Sequence, residues 1–321
     1  MNDQEIKIRE VFFPFLARQL DKITDESTDF VHYTSAEASL SIIQKQEVWM
    51  RSAVVMNDFS EVQHGQNCLT AAWNQSELGG RIRAVLDRCQ EGLSAVFEKT
   101  MNERLDEQFT QSYIISISEH GDSEGLENKF GRLSMWRAYG GNTNVAFVFN
   151  NAPFISDSNA LNAFTSPVLY TSPEGFLDYF REVVEGLENN FDLLTELGPE
   201  LVSQTLFSAF HFSILSAKHP GFSEEREWRV LHCPTLWPSD RLQSHIQCIS
   251  GVPQKIFKLK LEDYPDEGFV GATLPELIKE IIIGPTQDPY PIYDALAFEL
   301  QKAGVDDAYA KIRISDIPLR R

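Results

Sequence analysis

Glu225 and Glu227 stand two residues apart in the segment Phe222-Ser-Glu-Glu-Arg-Glu-Trp-Arg-Val-Leu. On an extended chain that spacing turns both carboxylates to one side. In a cleft, one of them can hydrogen-bond a ribose hydroxyl and stabilise positive charge growing at an anomeric carbon. Arg226 and Arg229 in the same stretch could meet phosphates. A salt-bridged strand edge with Trp228 in the core accounts for the same residues without chemistry. A second group centres on His32 in Phe30-Val-His-Tyr-Thr-Ser-Ala-Glu. An imidazole at a strand end beside a capped helix faces a crevice next to backbone N–H donors, which suits a ribose or a phosphate. The plainer alternative is a histidine bonded to a neighbouring carbonyl. A third group, Leu133-Ser-Met-Trp-Arg-Ala-Tyr-Gly-Gly, sets Ser134, Arg137 and Tyr139 beside a glycine turn. Aromatic faces there could stack on a planar ring, or Trp136 and Tyr139 could simply anchor the core.

Other chemistries find less support. The glycine spacings that build backbone phosphate cradles, GxGxxG and GxxxxGK[ST], do not occur, nor do GxSxG, HExxH or an EF-hand loop. His232-Cys233 and the His245-x-x-Cys248 pair offer zinc-type ligands at a spacing unlike common zinc ribbons, and no metal is expected. Asn57, Asp58 and Glu61 would fit a nuclease or hydrolase, but read more simply as residues that start a helix.

The positioning elements follow from periodicity. Residues 5–20 read as a helix, and 29–33 as a short strand leading to Thr34, which with Glu37 makes a T-x-x-E capping box for a helix to about residue 46. Apolar residues from Ile82 to Leu105 keep one helix face, predicting a single long helix over 81–109. Residues 113–118 and 144–149 predict central strands around a helical turn at 133–139. Helices follow at 174–190, 199–218 and 290–303, and strands at 49–55, 227–233, 255–261, 280–283 and 311–314. Strands scattered among helices without βαβ spacing predict an α+β fold with a mixed sheet. No linker is evident, so residues 1–321 are read as one domain with a helical insertion over 152–222.

Composition bounds the setting. With 28 basic and 47 acidic residues the formal charge is −19, which disfavours general nucleic-acid binding. No apolar run is long enough to span a bilayer, and the N-terminus lacks signal-peptide features. Four cysteines without a CxxC pair fit a reducing cytoplasm.

Taken in order, HYTSAEASLSII, VVMNDFSE, ISISE, LSMWRAYGGNTNVAFVF, KHPGFSEEREWRVL, IKEIIIGP and ISDIPLR resemble an uncharacterised bacterial family, domain of unknown function 2971. That name carries no activity. The HYTS motif and the E-R-E motif are also similar, more weakly, to those of the ADP-ribosyltransferase superfamily. That resemblance implies a split, mixed sheet and NAD as substrate, with no metal. It implies that His32, with Tyr33 and Thr34, holds the adenosine ribose, and that Glu227 bonds the nicotinamide ribose and steadies an oxocarbenium ion. Glu225 would choose or activate the acceptor, and Ser134, Arg137 and Tyr139 would lie near nicotinamide. The middle motif departs from the family pattern, since no S-T-S is present. The expectation is an NAD-dependent transferase or NAD glycohydrolase with unknown acceptor, in a toxin or antiviral setting. The alternative is a non-catalytic nucleotide-binding or protein-interaction module, such as an intracellular sensor.

Overall fold

The computed structural model describes residues 2–56, 59–121, 124–139, 141 and 143–318. The first half of the chain runs α1 (Asp3–Phe12), α2 (Pro14–Glu26), β1 (Phe30–Ser35), α3 (Ala36–Lys45), β2 (Glu47–Ser52), α4 (Ala53–Met56), α5 (Phe59–Asn74), α6 (Ser76–Cys89), α7 (Leu93–Thr110), β3 (Tyr113–Glu119), α8 (Leu126–Phe130), α9 (Leu133–Tyr139) and β4 (Thr143–Phe149). The second half runs β5 (Phe164–Pro167), β6 (Leu169–Tyr170), α10 (Phe176–Asn189), α11 (Phe191–Leu215), β7 (Ala217–Lys218), β8 (Glu227–His232), β9 (Gln243–Ile249), β10 (Val252–Lys260), α12 (Leu274–Leu277), β11 (Ile278–Thr286), α13 (Pro289–Lys302) and β12 (Ile312–Ile314). A 3-10 turn, Pro220–Glu225, leads into β8.

The fold is α+β around a mixed, largely antiparallel sheet, as the scatter of strands predicts. The strand order is β12-β11-β4-β1-β3-β2-β10-β9, with β8 on β3 and β5 on β8. The β11–β12 pair is parallel, as is the separate β6–β7 pair. One feature of the register decides where a ligand can enter. β1 pairs with β4 along its whole length, from Phe30↔Phe149 to Ser35↔Asn144. Against β3 it pairs only at Phe30↔Glu119 and Val31↔Ser118. β2 takes the other end of β3, at Arg51↔Ile114 and Ser52↔Tyr113. Between these contacts, around Ser116, β1 and β3 part. α3 closes the gap at one end by joining β1 to β2.

Two apolar layers hold the halves of the sheet. One half packs Val145, Phe147, Ile281 and Ile283 against Ile43 of α3 and Leu296 and Leu300 of α13. The other covers Ile114 and Leu231 with a helical body in which Phe97, Phe180 and Phe210 are fully buried. Among the described residues no helix is long and apolar enough to cross a membrane.

Several local readings need correction. The helix over 5–20 is two, α1 and α2, parted at Phe13 ahead of Pro14, and the strand over 49–55 gives way to α4 after Ser52. The helix over 81–109 is two, α6 and α7, because Gln90 is extended and Gly92 takes φ 78°, a left-handed turn that the surrounding apolar spacing conceals. The cap of α3 is Ser35, whose Oγ accepts from Ala38 N at 3.2 Å, because β1 runs through Thr34. The span 152–222 is not purely helical, since it contributes β5, β6 and β7, and its helices α10 and α11 share one core with residues of α5, α6 and α7. Asn57, Asp58, Gly140 and the basic tail 319–321 lie outside the described residues.

Candidate functional site

The gap between β1 and β3 opens into a cleft of about 890 Å³, lined by His32, Tyr33 and Thr34 of β1, Ser116 of β3, and Glu225 and Glu227, among others. That volume lies within the range of about 300–1,000 Å³ usual for ligand pockets. Ser116 ties its two sides together. Where β1 leaves β3, the Ser116 carbonyl accepts from His32 Nδ1 at 2.9 Å. The Ser116 hydroxyl donates to Glu227 Oε1 at 2.6 Å. Residues 195 positions apart in sequence therefore meet on one serine.

The His32 bond fixes the tautomer, because a carbonyl only accepts and the hydrogen must sit on Nδ1. Burial lowers the His32 pKa, and the Ser116 carbonyl offsets this in part. The ring is held neutral near pH 7, leaving Nε2 as an acceptor. Tyr33 is buried edge-on to Trp136, at 4.7 Å between ring centroids, and its hydroxyl accepts from Arg132 N. It lines the cleft but serves the core as well.

Glu225 and Glu227 do come together, though not as spacing along a strand implies. Glu225 ends the 3-10 turn and Arg226 between them takes φ 44°, so only Glu227 is in the strand. What joins them is Lys218 of β7. Its Nζ lies 2.6 Å from Glu225, 3.2 Å from Glu227 and 3.1 Å from Glu61 of α5. Arg229 completes the cluster, bonding Glu227 through Nε at 2.9 Å and Glu61 through Nη2 at 2.8 Å. Arg229 also bonds the Leu215 carbonyl, and Arg226 bonds Glu127 and the Gly121 carbonyl. Neither arginine is available to a phosphate, contrary to the sequence expectation, because each is committed to protein acceptors.

The cluster sets three carboxylates against two cations. Burial alone would raise the Glu227 pKa, but Arg229 and Lys218 outweigh it and, with Ser116, hold the carboxyl at about 2. Burial works to lower the Lys218 pKa, yet Glu227, Glu225 and Glu61 together raise it. Glu227, Lys218 and Arg229 are thus charged at neutral pH. A carboxylate offers about four acceptor positions. Those of Glu227 are filled by Ser116, Lys218 and two bonds from Arg229. Among the described residues, Glu225 accepts from Tyr139, at 3.0 Å, and from Lys218. The side chains of Glu225 and Glu61 are 12% and 16% exposed, against 6% for Glu227, so they are the carboxylates that a ligand reaches first.

Of the residues singled out in α9, Tyr139 lines the cleft and donates its hydroxyl to Glu225. Ser134 and Arg137 are not among its lining residues: the Ser134 hydroxyl is buried without a partner among the described residues, and Arg137 is exposed. The zinc-type residues serve other ends. His232 Nδ1 donates to the Asn162 carbonyl, Cys233 lies against Ser112 and His211, and Cys248 is exposed on β9. Among the described residues no group of three or more His, Cys, Asp or Glu is arranged to hold a metal ion. Sequence reasoning missed Lys218 and Ser116 and took Glu61 for a helix-start residue. The one available signal for Lys218 was a lone cation at the end of the apolar run FSAFHFSILSA.

A family model described as Protein of unknown function (DUF2971) matches residues 135–230, a stretch that includes Tyr139, Lys218, Glu225 and Glu227. The resemblance to that family therefore holds over this stretch. No curated protein and no solved structure matches the chain.

Proposed function

We propose that the protein binds NAD or a related nucleotide between β1 and β3 and cleaves its nicotinamide–ribose bond, as an ADP-ribosyltransferase-like enzyme or NAD glycohydrolase. The observation that carries this reading is Ser116, which holds the His32 imidazole by its carbonyl and the Glu227 carboxylate by its hydroxyl in one cleft. The parting of β1 from β3 supports a split-sheet core of the ADP-ribosyltransferase type.

The chemistry asks little of the protein beyond position and charge. As the C1′–N bond breaks, nicotinamide leaves with the bonding pair, which neutralises its ring nitrogen and leaves an oxocarbenium ion on the ribose. Water or an acceptor hydroxyl then adds at C1′, and its proton passes to Glu225 or to solvent. His32 Nε2 accepts from a ribose hydroxyl. Glu227 supplies fixed negative charge, since a hydroxyl could bond it only by displacing Ser116, Lys218 or Arg229. The direct ribose contact therefore falls to Glu225, whose acceptor positions are partly open.

A second reading, a nucleotide-binding or protein-interaction module without catalysis, is favoured by one observation: the saturation of Glu227 is what a purely structural ion cluster also shows. Nicotinamide release from NAD separates the two. The wild type is expected to release nicotinamide, and Glu225→Gln to do so about 10²-fold more slowly, the loss usual for one preorganised stabilising group. Equal release by wild type, Glu225→Gln and Glu227→Gln excludes both carboxylates. No release by the wild type, with or without protein or hydroxyl acceptors, leaves the binding module.

A further inference from the structure

We infer that Arg51 of β2, assisted by Lys45 of α3, forms a subsite for a phosphate group of a nucleotide ligand on the β2 wall of the cleft. The inference takes the cleft as a nucleotide site, and so rests on the reading above for the ligand class but not for its cleavage.

Among the described residues that line the cleft, the Lys and Arg side chains are Lys45 and Arg51, set against five glutamates. The cations nearest the glutamate cluster cannot serve a phosphate: Lys218 is shared by three carboxylates and Arg229 by two. Arg51 is different. Its Nη2 donates to Gln254 Oε1 at 3.1 Å, a neutral partner, and its Nε is buried with no acceptor among the described residues. Burial lowers its pKa, and no neighbouring charge offsets this. A buried guanidinium N–H left unbonded is unfavourable, and a planar oxyanion acceptor relieves it. Lys45 lies 5.3 Å over the Trp49 ring and, among the described residues, makes no direct salt bridge, acting on Glu47 only through its charge, so its ammonium can turn to an anion.

The register places this subsite. Arg51 pairs with Ile114, two residues before Ser116 on the same strand. A phosphate on Arg51 is thus one step along β3 from the His32–Ser116–Glu227 junction. The glutamates repel phosphate and accept from hydroxyls or attract a cationic ring. The cleft is therefore polar in charge, and it orients a phosphorylated nucleoside with its phosphate toward β2 and a ribose toward Glu225.

Calorimetric titration of the full chain tests this with AMP, ADP-ribose, inorganic pyrophosphate and unphosphorylated adenosine. AMP and ADP-ribose are expected to bind the wild type more tightly than adenosine. Arg51→Met should weaken both by about tenfold or more while leaving adenosine unchanged, with Arg51→Lys intermediate. Lys45→Met, at an exposed helix end, should weaken the phosphorylated ligands by a few-fold and guards against misfolding of the Arg51 variants. Binding by pyrophosphate alone would assign the subsite to a diphosphate, and preference for AMP over pyrophosphate to a monoester. Equal affinity for AMP and adenosine in the wild type overturns the inference, as does equal AMP affinity in wild type and both Met variants. Arg51-dependent binding without nicotinamide release keeps the subsite and removes the cleavage; release with an Arg51-independent KM does the reverse.

Discussion

Replacing Lys218 by Met removes one positive charge and keeps the apolar stem, and the structure allows its consequence to be worked out. Lys218 is 4% exposed and within 3.2 Å of three carboxylates. Without it, Glu61 and Glu227 keep Arg229 while Glu225 loses its cation, and the local charge passes from −1 to −2. Breaking a buried pair by removing one partner costs about 3–5 kcal/mol. A second route gives the same order. Glu227 lies at about 2 where an ordinary glutamate lies at 4.5, and at about 1.4 kcal/mol per unit this depression is worth on the order of 3 kcal/mol, shared by Arg229 and Lys218. The sign follows from linkage. A depressed carboxyl adds stability that is full above its unfolded value and lost as pH falls from about 4.5 toward 2. Urea unfolding should therefore show Lys218→Met less stable by about 3 kcal/mol at pH 7, with the gap narrowing as pH drops below 4.5. Adding Glu225→Gln should return part of the loss, since it removes one carboxylate left without its cation. A deficit under about 1 kcal/mol, or one that stays constant with pH, would refute the account of the cluster.

Two further outcomes follow from the same packing. A Cβ on Gly65 of α5 would run into the Ile214 backbone of α11, so Gly65→Ala should cost about 2 kcal/mol or more in urea unfolding and, by pushing α5 outward, draw Glu61 away from Lys218 and Arg229. His211 is fully buried between Phe109 and Phe207, and burial lowers its pKa to about 3. The unfolded chain takes up that proton near pH 6.5 and the folded protein does not, so stability falls as pH drops from 6.5 toward 3. His211→Phe should flatten that slope in thermal melts taken across this window, and an unchanged slope would mean that other groups control it.

The parts of the fold that were legible in sequence are those whose environment is uniform along the chain. β3 and β4 are buried almost throughout, so their β-branched and aromatic runs announce them. β9 is the opposite case: its residues QSHIQCI are largely exposed on the sheet edge, and no hydrophobic alternation survives to mark it. β5, β6 and β7 are too short for any period to register. The site shows the same division. His32, Glu225 and Glu227 were recognisable because their side chains fit a known chemistry. Their real connection runs through Lys218, Arg229, Glu61 and Ser116; the bonds of Ser116 to Glu227 and of Arg229 to Glu61 join residues more than a hundred positions apart, of which local spacing holds no trace. Glu225 and Glu227 were paired for the wrong reason, since the left-handed Arg226 breaks the alternation that was meant to align them.

The gap between β1 and β3 needs its own explanation, because separating paired strands strands backbone groups that would otherwise bond. β1 holds one end of β3 at Ser118 and Glu119, and β2 holds the other at Tyr113 and Ile114. The two strands attach to β3 at different points and are joined by the ten-residue helix α3, so neither can close over Ser116 without breaking its own register. The Ser116 carbonyl would be left without a backbone partner there, and His32 supplies the donor. One imidazole would thus do two things on the proposed reading: Nδ1–H completes the sheet, and Nε2 meets the ligand. It follows that loss of ligand binding in His32→Ala proves nothing about ligand contact, since the same change orphans the carbonyl that shapes the cleft. Only a replacement that keeps a donor to Ser116 while changing the second atom, such as His32→Gln or His32→Asn, separates the two roles. If Ser116 remains satisfied and the fold's melting temperature is kept while ribose recognition falls, the imidazole reads ligand as well as strand.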